Sequence, residues 1–142
     1  MILNRITNKK MVLDKLKKPK PKRKYSSVEK KHCHALIRWR NTQKLFDPKL
    51  LFHIPNEGKR AKWVSKPMGI EAGVSDYFLM IPKNKYSGLW IEMKEEGKKP
   101  TPKQKEFLER AKKIGYAVAV CFTWREAVEV IKNYLFYVEH KL

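Results

Sequence analysis

Apolar positions recur along the chain at two alternating periods, and the points where the period changes divide it into elements. Either Ser26 or Ser27 can cap a helix in which Val28, His32, Ala35, Leu36 and Trp39 form a stripe at three- and four-residue spacing. The pattern predicts one helix to about Phe46, stopped by Asp47 and Pro48. Residues 50–54 then read as a strand and residues 55–58 as a turn. Residues 59–66 suit a short helix or a basic loop equally, ending before Pro67 and the pair Gly69 and Gly73. Two apolar runs, residues 72–81 and 88–94, are separated by a turn at 82–88 and predict an antiparallel hairpin. After a loop at 95–101, Pro102 opens a helix to Ile114 with Gly115 just past its end, and Phe107, Leu108, Ala111 and Ile114 form its expected buried face. Residues 116–122 are continuously apolar, as in a strand covered on both sides. Thr123 and Glu126 make a capping box for a last helix, with Ala127, Val130, Ile131 and Tyr134 facing inward. The order is helix, strand, hairpin, helix, strand, helix, which predicts an α/β fold with a small mixed central sheet flanked by helices.

One of these runs breaks the apolar pattern. Within Gly88-Leu-Trp-Ile-Glu-Met-Lys94, Glu92 and Lys94 stand two residues apart and emerge on one face of the strand, with Ile91 and Met93 on the other. A buried carboxylate and ammonium each cost several kcal/mol to desolvate unless something compensates them. Asp76 lies in the preceding run, and pairing of the two strands brings it close enough to Glu92 for both to ligate one cation. Glu29 lies seven positions before Leu36, about 20° from it around the helix axis, so a third carboxylate borders the core-facing stripe. Gln104 precedes Phe107 and Leu108 by three and four residues and projects from the end of its helix nearest the Glu92 strand. Three acids clustered without a cation would raise one another's pKa, a penalty that a bound metal removes.

Charge adds a partner. The 142 residues carry a formal +19, and a surface this basic is stabilised against a polyanion, which favours nucleic acid. Residues 1–24 hold ten Lys or Arg against Asp14 alone, with Pro19 and Pro21 in the densest run, and read as a basic, largely disordered N-terminal arm before a domain at 25–142. Without the arm's net +9, the remainder still carries +10. Asn56, Lys59 and Arg60 follow a predicted strand and suit phosphate contacts, Arg60 bidentately. His53 reads as a packed strand residue. No apolar run approaches the roughly 20 residues a membrane-spanning helix needs, and the first residues lack the apolar block of a signal peptide. Cys33 and Cys121 fit a reducing, intracellular setting and do not form a zinc pattern.

Glu29, residues 54–60 (Ile-Pro-Asn-Glu-Gly-Lys-Arg), Gly73-Val-Ser-Asp76, Ile91-Glu-Met-Lys94, Thr101-Pro-Lys-Gln104 and residues 115–120 form an ordered set. Together, over about residues 26–135, they resemble the VRR-NUC family within the PD-(D/E)xK nuclease superfamily. Asp76 is preceded by Ser75, not by the proline that names the superfamily.

The resemblance implies a restriction-endonuclease-like core and a DNA endonuclease dependent on Mg²⁺, with Mn²⁺ able to substitute. It implies that Asp76 and Glu92 bind the ion with the Met93 carbonyl, and that Glu29 completes the acidic cluster directly or through water. It further implies that Lys94 orients the attacking water and stabilises the pentavalent oxyanion, and that Gln104 hydrogen-bonds that water or fixes Lys94. Small stand-alone members resemble junction resolvases, which implies a homodimer acting on branched DNA such as four-way junctions. They also suggest a phage or mobile-element setting, with action in the host cytoplasm. Two other readings fit the same residues: a non-catalytic basic nucleic-acid-binding module, and a sequence-specific restriction-type nuclease on the same scaffold.

Overall fold

A computed structural model describes residues 27–55 and 69–136. The first periodic stretch forms α1 (Ser27–Thr42), with Glu29 in its first turn and Arg40 in its last, each at the helix end whose dipole favours its charge. It stops before the expected Phe46 because Gln43 turns the chain away. The Gln43 side chain accepts from the N–H groups of Leu45 and Phe46 and donates to the carbonyls of Arg40 and Phe46. Asp47 then caps a single 3-10 turn, Pro48–Leu50, that leads into the sheet. Arg40 donates to the Leu51 carbonyl over 3.1 Å and ties the helix end to the first strand.

The four strands are β1 (Leu51–His53), β2 (Tyr77–Leu79), β3 (Leu89–Met93) and β4 (Ala117–Cys121), in the spatial order β1-β2-β3-β4. The first three are antiparallel neighbours, and the expected hairpin is β2–β3. β4 returns parallel to β3 through α2 (Pro102–Lys113), and α3 (Trp124–Phe136) follows. β2 is shorter than the predicted run at 72–81, because Ala72 and Gly73 form a turn and β1 offers only three residues for pairing. Gly88 enters β3 where a Cβ would come within 2.7 Å of the Phe78 ring, so a side chain there would displace that ring.

Alternation along the strands divides the interior into two layers. On one face Tyr77, Leu79, Leu89, Ile91 and Met93 join Leu36 of α1 and Ala127, Val128 and Ile131 of α3 in a buried cluster with Leu51 and Cys121. Each large aliphatic side chain so buried contributes about 1.5–3 kcal/mol. On the other face lies an aromatic layer, with Phe78 against Trp90 at 4.4 Å between centroids and Trp90 edge-on to Phe107 of α2 at 4.9 Å. Trp90 and Glu92 share this second face, so the carboxylate lies under the first turn of α2.

Three packing expectations change. Val28 is exposed, since it lies about 80° around α1 from Leu36, and Cys33 and Ile37 pack against the core in its place. Ile114 is 71% exposed because α2 ends at Lys113 and the chain reverses at Gly115, whose φ is 94°. Residues 117–120 are half-buried, because β4 pairs only with β3 and forms one edge of the sheet.

Candidate functional site

The antiparallel register pairs Tyr77 with Ile91, so one further step along both strands sets Asp76 across from Glu92 on the α2 face. Asp76 sits just before β2, not within it, and the backbone holds it from two sides. Its carbonyl accepts the Ile54 N–H over 2.7 Å, and its Oδ2 accepts the Met93 N–H over 2.8 Å. The next amide along, Lys94 N–H, points the opposite way and donates to the Cys121 carbonyl. In extended backbone the N–H and C=O of one residue point to the same side, so the Met93 carbonyl shares the strand edge that carries Asp76.

Glu92 is fully buried and Asp76 6% exposed. The two oxygens of Glu92 have different surroundings. Oε1 accepts from Lys94 Nζ at 2.7 Å and from Gln104 Nε2. Oε2 is buried without a hydrogen-bond partner. Burial, and then the neighbouring Asp76 carboxylate, push the Glu92 pKa up to about 7 against the lowering effect of Lys94. Burial also raises the pKa of Glu29, which feels Lys94 most strongly among the charges and then the repulsion of Asp76 and Glu95. Lys98 pairs with Glu95 at 2.7 Å on the rim.

Folding therefore brings Asp76, Glu92, Lys94 and Gln104 into direct contact or cross-strand opposition, with Glu29 in their electrostatic field. Among the described residues no three His, Cys, Asp or Glu side chains are gathered closely enough to hold a metal ion. Glu29 lies near enough for its charge to act on Asp76, Glu92 and Lys94. Asn56, Lys59 and Arg60, and the arm at residues 1–24, lie outside the described residues. His53 is half-buried in β1 with its ring 5.2 Å from that of Tyr77, consistent with a packed strand residue.

Two residues of the ordered motif set, Thr101 and Gly73, contribute through the backbone. Thr101 is the N-cap of α2 and forms a reciprocal capping box with Gln104: Thr101 Oγ1 accepts the Gln104 N–H, and Gln104 Oε1 accepts the Thr101 N–H over 2.8 Å. The spacing Thr-x-x-Gln before an apolar helix is the signal that could have found it. Gly73, at φ 92°, is the other. A Cβ there would lie 2.6 Å from the Lys103 carbonyl carbon, so the loop before Asp76 packs backbone to backbone on the first turn of α2. No periodicity marks such an approach.

Chemically, the arrangement offers two cross-strand carboxylates, one with an unpartnered buried oxygen, and a carbonyl on the same edge. An all-oxygen donor set of this kind suits a hard divalent cation such as Mg²⁺ or Mn²⁺ and not zinc. The ammonium of Lys94, 15% exposed, sits at the mouth, where an anionic substrate would meet it.

A comparison with curated proteins finds no match. A solved structure described as a "VRR_NUC domain protein" is 29% identical, with a TM-score of 0.66 over 76% of this chain and 88% of that one. Residues 19–123, most of the sequence and all four strands, match the VRR-NUC domain. With the mixed four-stranded sheet and the carboxylate pair at its end, that match settles the lineage: the chain belongs to the VRR-NUC family of nucleases.

Proposed function

We infer that the protein is a Mg²⁺-dependent endonuclease that hydrolyses DNA phosphodiester bonds, with the site at the C-terminal end of β3. The observation that carries this reading is the division of labour on Glu92: one oxygen engaged by Lys94 and Gln104, the other buried, unpartnered and across from Asp76. A fully buried carboxylate with an unsatisfied oxygen costs several kcal/mol, and a structural ion pair with Lys94 alone leaves that cost in place. Asp76 and Glu92 Oε2 would hold the cation with the Met93 carbonyl, and Glu29 would contribute negative charge from nearby. Bound there, Mg²⁺ or Mn²⁺ supplies Lewis-acid polarisation of the phosphate and acidifies water.

The chain's own residues do the rest. Lys94, fixed by its ion pair, directs its remaining N–H groups towards the mouth, orients the attacking water and offsets charge on the pentavalent oxyanion. Gln104 holds Glu92 in place with one Nε2 N–H, and the second N–H of that nitrogen would serve the attacking water. The basic surface supplies phosphate attraction without base selection.

Selectivity for branched DNA and action as a homodimer belong to the same proposal. They rest on the family resemblance and on symmetry, since a two-fold axis shared by protein and junction would set two sites on opposing strands. The test is a cleavage panel of four-way junction, flap, nicked and linear DNA in Mg²⁺, with particle mass measured by light scattering. Lys94→Ala should lose about 10²-fold or more in rate, and Asp76→Ala at least as much. Wild-type rates in either variant would remove the hydrolytic assignment, and binding without strand breaks by the unaltered protein would leave a basic binding module.

A further inference from the structure

We propose that the main-chain N–H of Thr101 is a positioning group: through the capping box it fixes which way round the Gln104 amide sits, and thereby decides which Glu92 oxygen is presented to a cation. A glutamine amide has an acceptor end and a donor end that differ little in shape, and either can face a neighbour. Here the Thr101 N–H donates to Gln104 Oε1 over 2.8 Å, so the donor end, Nε2, is the one left to face Glu92, and it donates to Oε1. Lys94 Nζ occupies the same oxygen at 2.7 Å. With both donors on Oε1, the unpartnered Oε2 is the ligand oxygen. The helix cap is thus also an orienting brace for a carboxylate 12 residues away in sequence.

The proposal rests on Glu92 being a metal ligand for its consequence, but not for its geometry. Orienting groups of this kind cost about 10- to 100-fold in metal affinity or activity when removed. A capping role alone would cost stability and spare chemistry, and substitutions at two positions separate the possibilities. Gln104→Glu keeps the capping box, because a glutamate at this position accepts the Thr101 N–H as well as a glutamine does, yet it presents an acceptor in place of a donor to Glu92. Thr101→Val removes the Oγ1 half of the box but keeps the main-chain N–H that orients Gln104, whereas Thr101→Pro, compatible with the φ of −65° at this position, removes that N–H as well.

The experiment combines amide spectroscopy of the metal-free protein with cleavage kinetics. In a ¹⁵N–¹H correlation spectrum, the side-chain amide pair of Gln104 should be shifted and solvent-protected in the wild type and in Thr101→Val, and should move to the position of an exposed glutamine in Thr101→Pro. Gln104→Glu should still unfold in one cooperative transition, with its thermal midpoint lowered at pH 8 by the second carboxylate against Glu92, while losing about tenfold or more in kcat with little change in KM. An unmoved Gln104 amide in Thr101→Pro, or wild-type cleavage by Gln104→Glu, would overturn the proposal. If the wild type cuts no substrate but the amide behaves as stated, the nuclease reading fails and the brace stands.

Discussion

At the scale of single residues, Glu92 is where sequence, packing and chemistry meet. Its carboxyl is fully buried and its pKa is raised from 4.5 to about 7, so the folded state holds a proton that the unfolded chain has released over that interval. Stability from this group is full below about pH 4.5 and is lost as pH rises through 7, by about 3 kcal/mol in all. Denaturant titration in chelator at pH 5 and pH 8 should show this loss, and Glu92→Gln should largely flatten it; an equal slope in the variant would assign the loss elsewhere. A divalent cation should reverse the sign, since it binds the ionised carboxylate and stabilises the folded state most at high pH. Chelator-treated protein at pH 8 should therefore gain thermal stability on adding Mn²⁺, and Glu92→Gln should gain less.

At the scale of elements, the site depends on how the loop at residues 69–75 meets α2. Gly73 approaches the Lys103 backbone more closely than any side chain allows, and Asp76 and Gln104 follow Gly73 and Lys103 by three residues and by one. Gly73→Ala should cost about 1–3 kcal/mol from its positive φ alone and push the first turn of α2 away from β3. Cleavage should fall further than the drop in stability explains. Tyr134→Phe is the matching control: its hydroxyl donates to the Ile81 carbonyl over 2.6 Å, which ties α3 to the chain just beyond β2. That substitution should cost about 1 kcal/mol and leave cleavage unchanged. Equal activity of the two variants at equal residual stability would show that the Gly73 approach does not position the site.

At the scale of the whole molecule, charge governs the encounter with substrate. The formal +19 divides almost evenly between residues 1–24 and the remainder, so both should neutralise phosphates. Deleting residues 1–24 should weaken DNA binding and flatten its dependence on log salt, by about 0.9 in slope for each phosphate that is no longer neutralised, while metal-dependent cleavage of bound substrate persists. Identical salt slopes for the two proteins would show that the arm neutralises no phosphates. Among the described residues no helix is long and apolar enough to cross a membrane.

Local chemistry was written in the sequence and survives in the fold. The hairpin, the start of α2 at Pro102, its end before Gly115 and the Thr123–Glu126 cap all depend on residues within a few positions of one another. Alternation along β3 likewise puts Glu92 and Lys94 on one face from the order of residues alone. Where α1 would stop was not legible, because the Gln43 side chain has several carbonyls and amides within reach and only the folded chain selects among them. Nor was the half-exposure of β4, because an apolar run reads the same at the centre of a sheet as at its edge. Tertiary structure alone decided that Asp76 lies across from Glu92, that Gln104 contacts Glu92, and that Glu29 comes within the electrostatic field of the pair. Those outcomes turn on strand register and on the close backbone approach at Gly73, which couple residues far apart in sequence. A period along the chain specifies the face a side chain occupies, and only packing specifies what it meets there.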